Sequence, residues 1–193
     1  MLLTCLIVFS LALFFSPVPI VASSSDRVQT IPDTAVLDQN GADRQFYTDL
    51  VEDKIVAVNF VFTRCTMICP MLGFKFGQLR KLLGEQAGES IHLISITTDP
   101  GYDTPQRLNT WAQKFNAGPG WNLVTGDKQD IDQLLKSLKA FSADKQDHSS
   151  LVLLINEPLN EWRWLDGESD PKLIYSALSL WLKPAPDANS PEN

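Results

Sequence analysis

The sequence predicts an α/β domain built around a partly parallel β-sheet. Segments of strand type alternate with segments of helix type along most of the chain, an order that is typical of layered α/β folds. Two of the strand segments, 55–62 and 151–155, are apolar on both faces, as is typical of central strands covered on both sides. A chain of 193 residues with 44% hydrophobic side chains is long and apolar enough to bury the core of one such domain.

The N-terminal part of the domain carries the signals of a β-hairpin. Residues 36–46 contain the pair Asn40-Gly41, and Asn-Gly supplies the positive φ angles that a tight turn requires. After the first apolar strand, Pro70 suits the first turn of a helix, because proline lacks the N–H that a first turn leaves unpaired. Gly84 is expected to end that helix.

The rest of the chain continues the alternation. Thr104-Pro105 is a helix-start signal, since threonine caps helices well and proline is favoured at the first helical position. Gly126-Asp127 introduces another helix, with isoleucine and leucine at helical spacing behind it. The remaining predicted strands are 91–97, 121–124, 151–155 and 161–165, and a final helix is predicted over 171–182.

The charge composition limits the possible partners. The chain has 16 basic and 23 acidic side chains, a formal net charge of −7, and no cluster of lysine and arginine. A nucleic-acid-binding surface needs basic side chains that displace counterions from phosphates, so no nucleic-acid partner is expected. The acidic surface favours encounter with a basic partner, although net charge affects encounter rates rather than identity.

The first 25 residues contain no charged side chain and resemble an export signal. An apolar run over 1–15 is followed by two prolines within 16–19 and by the small residues of 21–23, in the order of such a signal. The lysine or arginine that normally precedes the apolar run is missing, so the segment is expected either to be cleaved or to stay as a membrane anchor. In both cases we expect an exported protein, in the periplasm of a bacterium.

The expected organisation follows from these signals. We predict a signal peptide or anchor over 1–22, a linker over 23–32, one domain over 33–183 and a disordered tail over 184–193. Three prolines in the last ten residues favour disorder in the tail.

Cys65 and Cys69 lie between the central strand and the helix that follows it, and they are the most informative residues in the sequence. Spaced four residues apart at a helix start, both sulfurs are able to point to the same solvent-facing side. The N–H groups of a helix amino terminus favour the thiolate form. Such a pair suits a structural disulfide, a soft metal or electron exchange. The structural disulfide is the weakest of the three, because a bridge across so short a loop constrains the unfolded chain little.

The two histidines of the chain differ in their setting. His92 starts the second apolar strand and is expected to be an ordinary side chain. His148 follows Asp147 in a polar loop before strand 151–155, and in a sheet of this kind that loop is able to approach the turn that carries the cysteines. Two thiolates and one imidazole form a soft donor set that suits copper, whereas zinc usually takes four ligands. A solvated loop histidine is the other interpretation of His148.

Three motifs in order resemble the Sco/SenC family of copper-binding, thioredoxin-like proteins. They are the stretch 58–65 followed by Cys69-Pro70, the Asp-Pro-x-x-Asp-Thr-Pro segment at 99–105, and Asp147-His148-Ser149. The resemblance extends over residues 30–182. It implies a thioredoxin-like fold, in which a central mixed sheet is flanked by helices and preceded by an N-terminal β-hairpin.

The resemblance also implies a site and a cargo. One copper ion, as Cu(I) or Cu(II), would be held by Cys65, Cys69 and His148. Asp147 would be a neighbour that orients or neutralises the site; a solvated loop acid is the other interpretation of this residue.

Members of the family deliver copper to, or reduce cysteines of, the copper centre of cytochrome c oxidase. The resemblance therefore implies a metallochaperone rather than an enzyme, with a cytochrome c oxidase subunit or another copper-receiving protein as the partner. Asp99 and Asp103 are expected to shape a turn and to cap a helix rather than to do chemistry. This chain has Thr66 where many members have proline. The expected fold and copper ligands do not depend on that difference, but the protein that receives the copper does not follow from the sequence.

A thiol–disulfide oxidoreductase is the alternative function. Cys65 would attack a disulfide of a partner protein, and Cys69 would resolve the mixed disulfide. Against this, ordinary thioredoxin-type exchangers use CxxC and carry a cis proline before the strand that faces the motif, whereas residues 146–150 contain no proline. A non-catalytic interaction domain with an incidental disulfide is the least specific interpretation.

Overall fold

A computed structural model of the protein describes residues 30–142 and 150–182. Its elements are, in chain order, β1 (Ala35–Asp38), β2 (Asp43–Gln45), α1 (Phe46–Leu50), β3 (Ile55–Val61), α2 (Ile68–Leu83), a 3₁₀ turn (Gly84–Gln86), β4 (Ile91–Thr97), α3 (Pro105–Lys114), β5 (Trp121–Thr125), α4 (Lys128–Ser137), β6 (Leu151–Asn156), β7 (Glu161–Asp166) and α5 (Pro171–Leu182). Every predicted strand and helix is present in this part of the chain.

The seven strands form one mixed sheet in the order β2-β1-β5-β4-β3-β6-β7. β3, β4 and β5 run parallel, whereas β6 pairs antiparallel with both β3 and β7. β1 joins the other side of the sheet antiparallel to β5. The carboxyl ends of the three parallel strands therefore lie at one edge, together with the start of β6. The predicted mixed sheet is confirmed.

The N-terminal hairpin forms as predicted, and one aspartate holds its turn. Gly41 has a φ of +80°, which is the left-handed conformation that the Asn-Gly signal requires. Asp38 Oδ1 accepts hydrogen bonds from the backbone N–H of Asn40 at 2.8 Å and of Ala42 at 3.0 Å. The second strand ends at Gln45, one residue earlier than predicted, because α1 begins at the next residue.

Helix α1 is not among the elements predicted from the sequence; it is only five residues long and has a single pair of apolar residues at helical spacing, Phe46 and Leu50. Its first turn is held from outside, since Asp33 Oδ1 accepts from the N–H groups of Tyr47 and Thr48, both at 3.0 Å. Phe46 and Leu50 are buried. Tertiary contacts therefore form this helix, and helices this short are marginal on their own.

Helices cover the sheet on both faces. Side chains of α2, α3 and α5 pack with Ala57 and Val61 of β3, and side chains of α1 and α4 pack with Val56, Val58 and Phe60 of the same strand. The alternation of β3 residues between two cores explains why its sequence is apolar on both faces.

Helices α2 and α3 approach each other closely at two glycines. A Cβ atom on Gly73 would lie 2.6 Å from Trp111 Cη2, and one on Gly77 would lie 2.5 Å from the carbonyl oxygen of Phe115. No side chain fits at either position without a shift of α3. These contacts fix the position of α2, whose amino terminus carries the cysteines.

The two terminal segments of the predicted organisation, 1–22 and 184–193, lie outside the described residues, so their roles stay predictions. Within 30–142 and 150–182, no helix combines the length and the apolar character that a membrane span requires.

Candidate metal and redox centre

Cys65 and Cys69 are brought together where β3 ends and α2 begins. The N–H of Cys65 donates to the carbonyl of Phe62 at 3.1 Å, and Cys69 lies in the first turn of α2. The N–H of Cys69 donates to Cys65 Sγ, with 3.3 Å between nitrogen and sulfur. Both residues are present as thiols, and Cys65 is partly exposed. The expectation that both sulfurs face solvent is wrong for Cys69, which is 0% exposed and packs in the core under α2.

The two thiols have opposite pKa shifts. Burial acts to raise the pKa of Cys65, but hydrogen bonds from Cys69 and from the N–H groups of Met67 and Ile68 outweigh it, so this pKa lies below its ordinary value. Burial raises the pKa of Cys69 to about 12, although a hydrogen bond with the backbone of Phe62 acts in the opposite direction. Cys65 is therefore the sulfur that ionises first and is the better nucleophile.

Asp103 fixes the start of the cysteine loop. Its carboxylate accepts from the N–H of Thr63 at 3.1 and 3.2 Å and from Thr63 Oγ1 at 2.5 Å. Thr97 Oγ1 donates to the same carboxylate at 2.6 Å. The predicted cap role is wrong for Asp103, because α3 is capped by Thr104, whose Oγ1 accepts from the N–H of Arg107 at 3.4 Å. Asp103 instead ties the α3 side of the site to the residue two positions before Cys65.

Asp99 holds the next residue of the loop. The Arg64 side chain forms an ion pair with Asp99 Oδ2, and its Nε donates to the same oxygen at 3.1 Å. The carbonyl of Asp99 also accepts from the N–H groups of Tyr102 and Asp103, at 2.9 and 2.8 Å. The predicted turn-shaping role of Asp99 is thus confirmed, and the ion pair adds a second role that the sequence did not indicate.

Two guanidinium groups contact one aromatic ring beside the site. Arg64 Cζ lies 4.3 Å and Arg107 Cζ 3.7 Å from the centroid of the Tyr102 ring. Cation–π contacts of this kind stabilise each partner by about 0.5–1 kcal/mol at exposed positions. Arg107 is only five residues from Tyr102, but Arg64 is distant in sequence, so only the fold reveals that Arg64 meets the ring.

His148 and Asp147 lie outside the described residues, and their predicted roles at the site stay predictions. His92 is placed at the other edge of the sheet, because it pairs with Val56 near the beginning of β3. Among the described residues, no group of three or more His, Cys, Asp and Glu side chains could hold a metal ion. The described part of the chain therefore contributes two sulfurs to this site, a donor pair that fits a soft ion such as Cu(I).

The sequence model of the SCO1/SenC family matches residues 25–183. The chain belongs to the SCO1/SenC family. The membership predicted from three short motifs is confirmed. A relative from Stutzerimonas stutzeri, provisionally named a copper-binding protein, is 33% identical over 115 residues, which are 58% of this chain and 53% of the relative. This SCO1/SenC chain thus matches about half the length of that relative.

Solved structures of Sco proteins share the fold. ScoI of Bradyrhizobium japonicum with copper bound has a TM-score of 0.65 at 21% identity, over 77% of this chain and 96% of that one. BsSco, a member of the Sco family of cytochrome c oxidase assembly proteins in which a disulfide switch was identified, has a TM-score of 0.64 at 22% identity, over 79% of this chain and 97% of that one. The predicted thioredoxin-like fold class is confirmed.

Proposed function

We propose that this SCO1/SenC protein binds one copper ion, as Cu(I) or Cu(II), and delivers it to a copper-receiving protein such as a cytochrome c oxidase subunit. The observation that carries the proposal is that the side chains of Cys65 and Cys69 interact with each other at the amino terminus of α2, where the N–H of Cys69 also donates to Cys65 Sγ. Soft thiolate ligands suit Cu(I), whereas zinc, which also binds thiolates, usually takes four ligands. The copper named with two of the similar proteins supports the same cargo.

His148 is the proposed third ligand, with Asp147 as the neighbour that orients its imidazole. The sheet register supports this choice. β6 runs antiparallel to β3, and the last pair of their ladder joins Asn59 with Val152. Leu151, the first residue of β6, therefore lies at the edge of the sheet at which β3 leads into the cysteine loop, and His148 is three positions earlier in the sequence.

Delivery requires that a docked acceptor replaces the ligands one at a time. Cys65 is partly exposed, so a thiolate of the acceptor replaces the bond between copper and Cys65 first. The bond between copper and the buried Cys69 breaks last. Oxidation of the pair to a disulfide removes both sulfur donors, so copper loading depends on the redox state of the chain.

The proposed location is outside the cytoplasm, in the periplasm of a bacterium. The uncharged apolar segment at 1–22 supports this location, because it has the length and the following small residues of an export signal. A segment that stays uncleaved would associate the protein with the membrane.

Anaerobic titration of the reduced chain with Cu(I) and with Cu(II) tests the proposal. The parent is the full chain carrying Cys5→Ser, which removes the third thiol of the sequence. Cys65→Ser, Cys69→Ser and His148→Ala each remove one proposed ligand. His92→Ala is the matched histidine control, because its side chain lies at the opposite edge of the sheet.

We expect one tightly bound copper ion per chain in the parent and in His92→Ala, and affinity at least about tenfold lower in the other three variants. Tight binding that persists in His148→Ala would reject the histidine as a ligand. A parent that binds no copper tightly would reject the proposal.

A thiol–disulfide oxidoreductase is the second candidate, favoured by the unequal settings of the two cysteines. The Cys65 thiolate attacks a partner disulfide, forms a mixed disulfide and releases one partner sulfur as a thiolate. Cys69 then loses its proton and attacks Cys65 Sγ, so the second partner sulfur leaves. The partner gains two electrons, the Cys65–Cys69 pair becomes a disulfide, and an external dithiol must reduce it. If the Cys65–Cys69 pair cycles between dithiol and disulfide in a dithiol buffer, and the chain binds no copper, the result would favour this function.

A further inference from the structure

Basic side chains are concentrated on the two helices that flank the cysteine loop. They are Lys75, Arg80, Lys81, Arg107 and Lys114. Neither of the described helices α2 and α3 contains an acidic residue. The chain as a whole has a net charge of −7, so the charge on α2 and α3 is opposite in sign to that of the molecule.

A groove of about 310 Å³ lies on the α3 side of the loop. We call it the cationic groove, and its lining residues are Thr63, Tyr102, Arg107, Thr110, Trp111 and Lys114. None of these six described residues is acidic. Arg107, Thr110 and Lys114 are exposed and recur at helical spacing, so they share one face of α3.

The carboxylates closest in sequence to the groove are already engaged inside the protein. Asp99 is 2% exposed and is paired with Arg64. Asp103 is 1% exposed and accepts from Thr63 and Thr97. Neither carboxylate is offered to the surface, so the groups that the groove presents to a partner are cations and hydroxyls.

Arg107 is held in place before any partner arrives. Its guanidinium stacks on Tyr102 and donates to the carbonyl of that residue at 2.5 Å. A guanidinium offers five N–H donors in a fixed fork that matches a carboxylate. Because its position is already fixed, less conformational entropy is lost when a carboxylate binds.

We propose that the cationic groove docks an acidic segment of the partner protein and thereby brings the partner's metal or thiol ligands to Cys65. Thr63 lines the groove and lies two residues before the partly exposed Cys65, so the groove borders the start of the cysteine loop. The basic partner expected from net charge is therefore replaced by an acidic one, because the local charge governs the contact. The identity of the partner as the recipient of copper or electrons rests on the proposed function, but docking requires neither.

The test uses a fluorescein-labelled hexaglutamate peptide and the reduced, copper-free full chain. Fluorescence anisotropy gives the affinity, and a labelled hexalysine peptide serves as the probe of opposite charge. Arg107→Gln/Lys114→Gln removes two charges from the groove. Lys128→Gln/Lys136→Gln is the matched control, because it removes two charges from α4 on the opposite face of the sheet.

We expect the parent to bind hexaglutamate more tightly than hexalysine. The affinity of the groove variant for hexaglutamate should be lower by about fivefold or more, whereas that of the control variant should be close to the affinity of the parent. Added salt should weaken binding in the parent more than in the groove variant. Equal losses in the two double variants would show that binding follows net charge and would overturn the proposal, as would undetectable binding in the parent.

Three further measurements separate this proposal from a folding defect and from copper binding. Thermal unfolding of the groove variant should match that of the control variant, so that weaker docking is not a folding defect. Both double variants should still bind one copper ion, and Cys65→Ser should still bind hexaglutamate. Loss of hexaglutamate binding in Cys65→Ser would overturn a docking site that is distinct from the sulfur.

Discussion

The amide nitrogen of Cys69 lies 3.3 Å from Cys65 Sγ, so the first turn of α2 presents an N–H donor to the sulfur of the loop. This contact stabilises negative charge on Cys65, while the side chain of Cys69 is buried in the core below it. The pair is therefore asymmetric: one sulfur is available to a partner and the other is protected. An asymmetric pair suits stepwise release of a metal ion and also stepwise exchange of a disulfide.

The asymmetry predicts the order of alkylation. In the reduced, copper-free chain, iodoacetamide should modify Cys65 much faster than Cys69, because Cys69 is 0% exposed and must wait for local opening of α2. Peptide mapping by mass spectrometry after timed quenching measures the two rates separately. The control is the same reaction in urea, where the two rates should converge. Equal rates in the folded chain would contradict the buried position of Cys69.

Much of the fold could be predicted because its signals are local. The Asn40-Gly41 turn, the helix-start signal at Thr104-Pro105 and the apolar strands each depend on a few neighbouring residues. Helix α1 could not be predicted, since Asp33 holds its first turn from outside the helix. A helix of five residues shows only one apolar pair at helical spacing, Phe46 and Leu50, which is too little to identify it in the sequence.

The site shows the same division between local and long-range signals. The position of Cys65 and Cys69 at a strand–helix junction follows from spacing, and the structure places them there. The burial of Cys69 and the contact of Arg64 with Tyr102 depend on how the cysteine loop and α2 pack against the rest of the domain. Local sequence carries no information about that packing.

Removal of the Asp103 carboxylate should destabilise the protein. Asp103→Ala leaves the N–H of Thr63 and the hydroxyls of Thr63 and Thr97 without their acceptor in a buried setting. We expect the free energy of unfolding to fall by about 2–4 kcal/mol, measured by urea denaturation. Asp43→Ala is the control, because Asp43 is exposed. Its substitution should lower the free energy of unfolding by less than about 0.5 kcal/mol. Similar stability of the two variants would show that Asp103 does not anchor the loop.

The close approach of α2 and α3 predicts a cost for a single methyl group. In Gly77→Ala, the added Cβ would lie 2.5 Å from the carbonyl oxygen of Phe115, so one helix must shift. We expect a net loss of about 1–3 kcal/mol in unfolding free energy. The preference of helices for alanine over glycine, about 1 kcal/mol, offsets only part of the strain.

Gly101→Ala is the matched control for that substitution. A Cβ on Gly101 would have no heavy atom within 4 Å, and the residue lies outside the helices. Urea denaturation should therefore give nearly the parent value for Gly101→Ala. A Gly77→Ala variant as stable as the parent would show that α3 moves aside without cost.

The setting of His92 predicts how stability depends on pH. Burial lowers the pKa of His92 from its ordinary value of 6.5, and the positive charge of Lys54 adds to the lowering, whereas Glu89 acts in the opposite direction. As the pH falls below 6.5, the unfolded chain takes up a proton on this histidine before the folded chain does. The stabilising contribution is therefore complete above that pH and is lost as the pH falls towards the pKa of the folded state.

Urea denaturation at about pH 7.5 and about pH 5 measures this loss. The parent should lose more stability between the two conditions than His92→Gln, because the carboxylates contribute equally to both proteins and only the parent has His92 to protonate. If His92→Gln and the parent lost equal amounts, the imidazole of His92 would have the same proton affinity in the folded and unfolded chains, and its burial beside Lys54 would have no effect on folding.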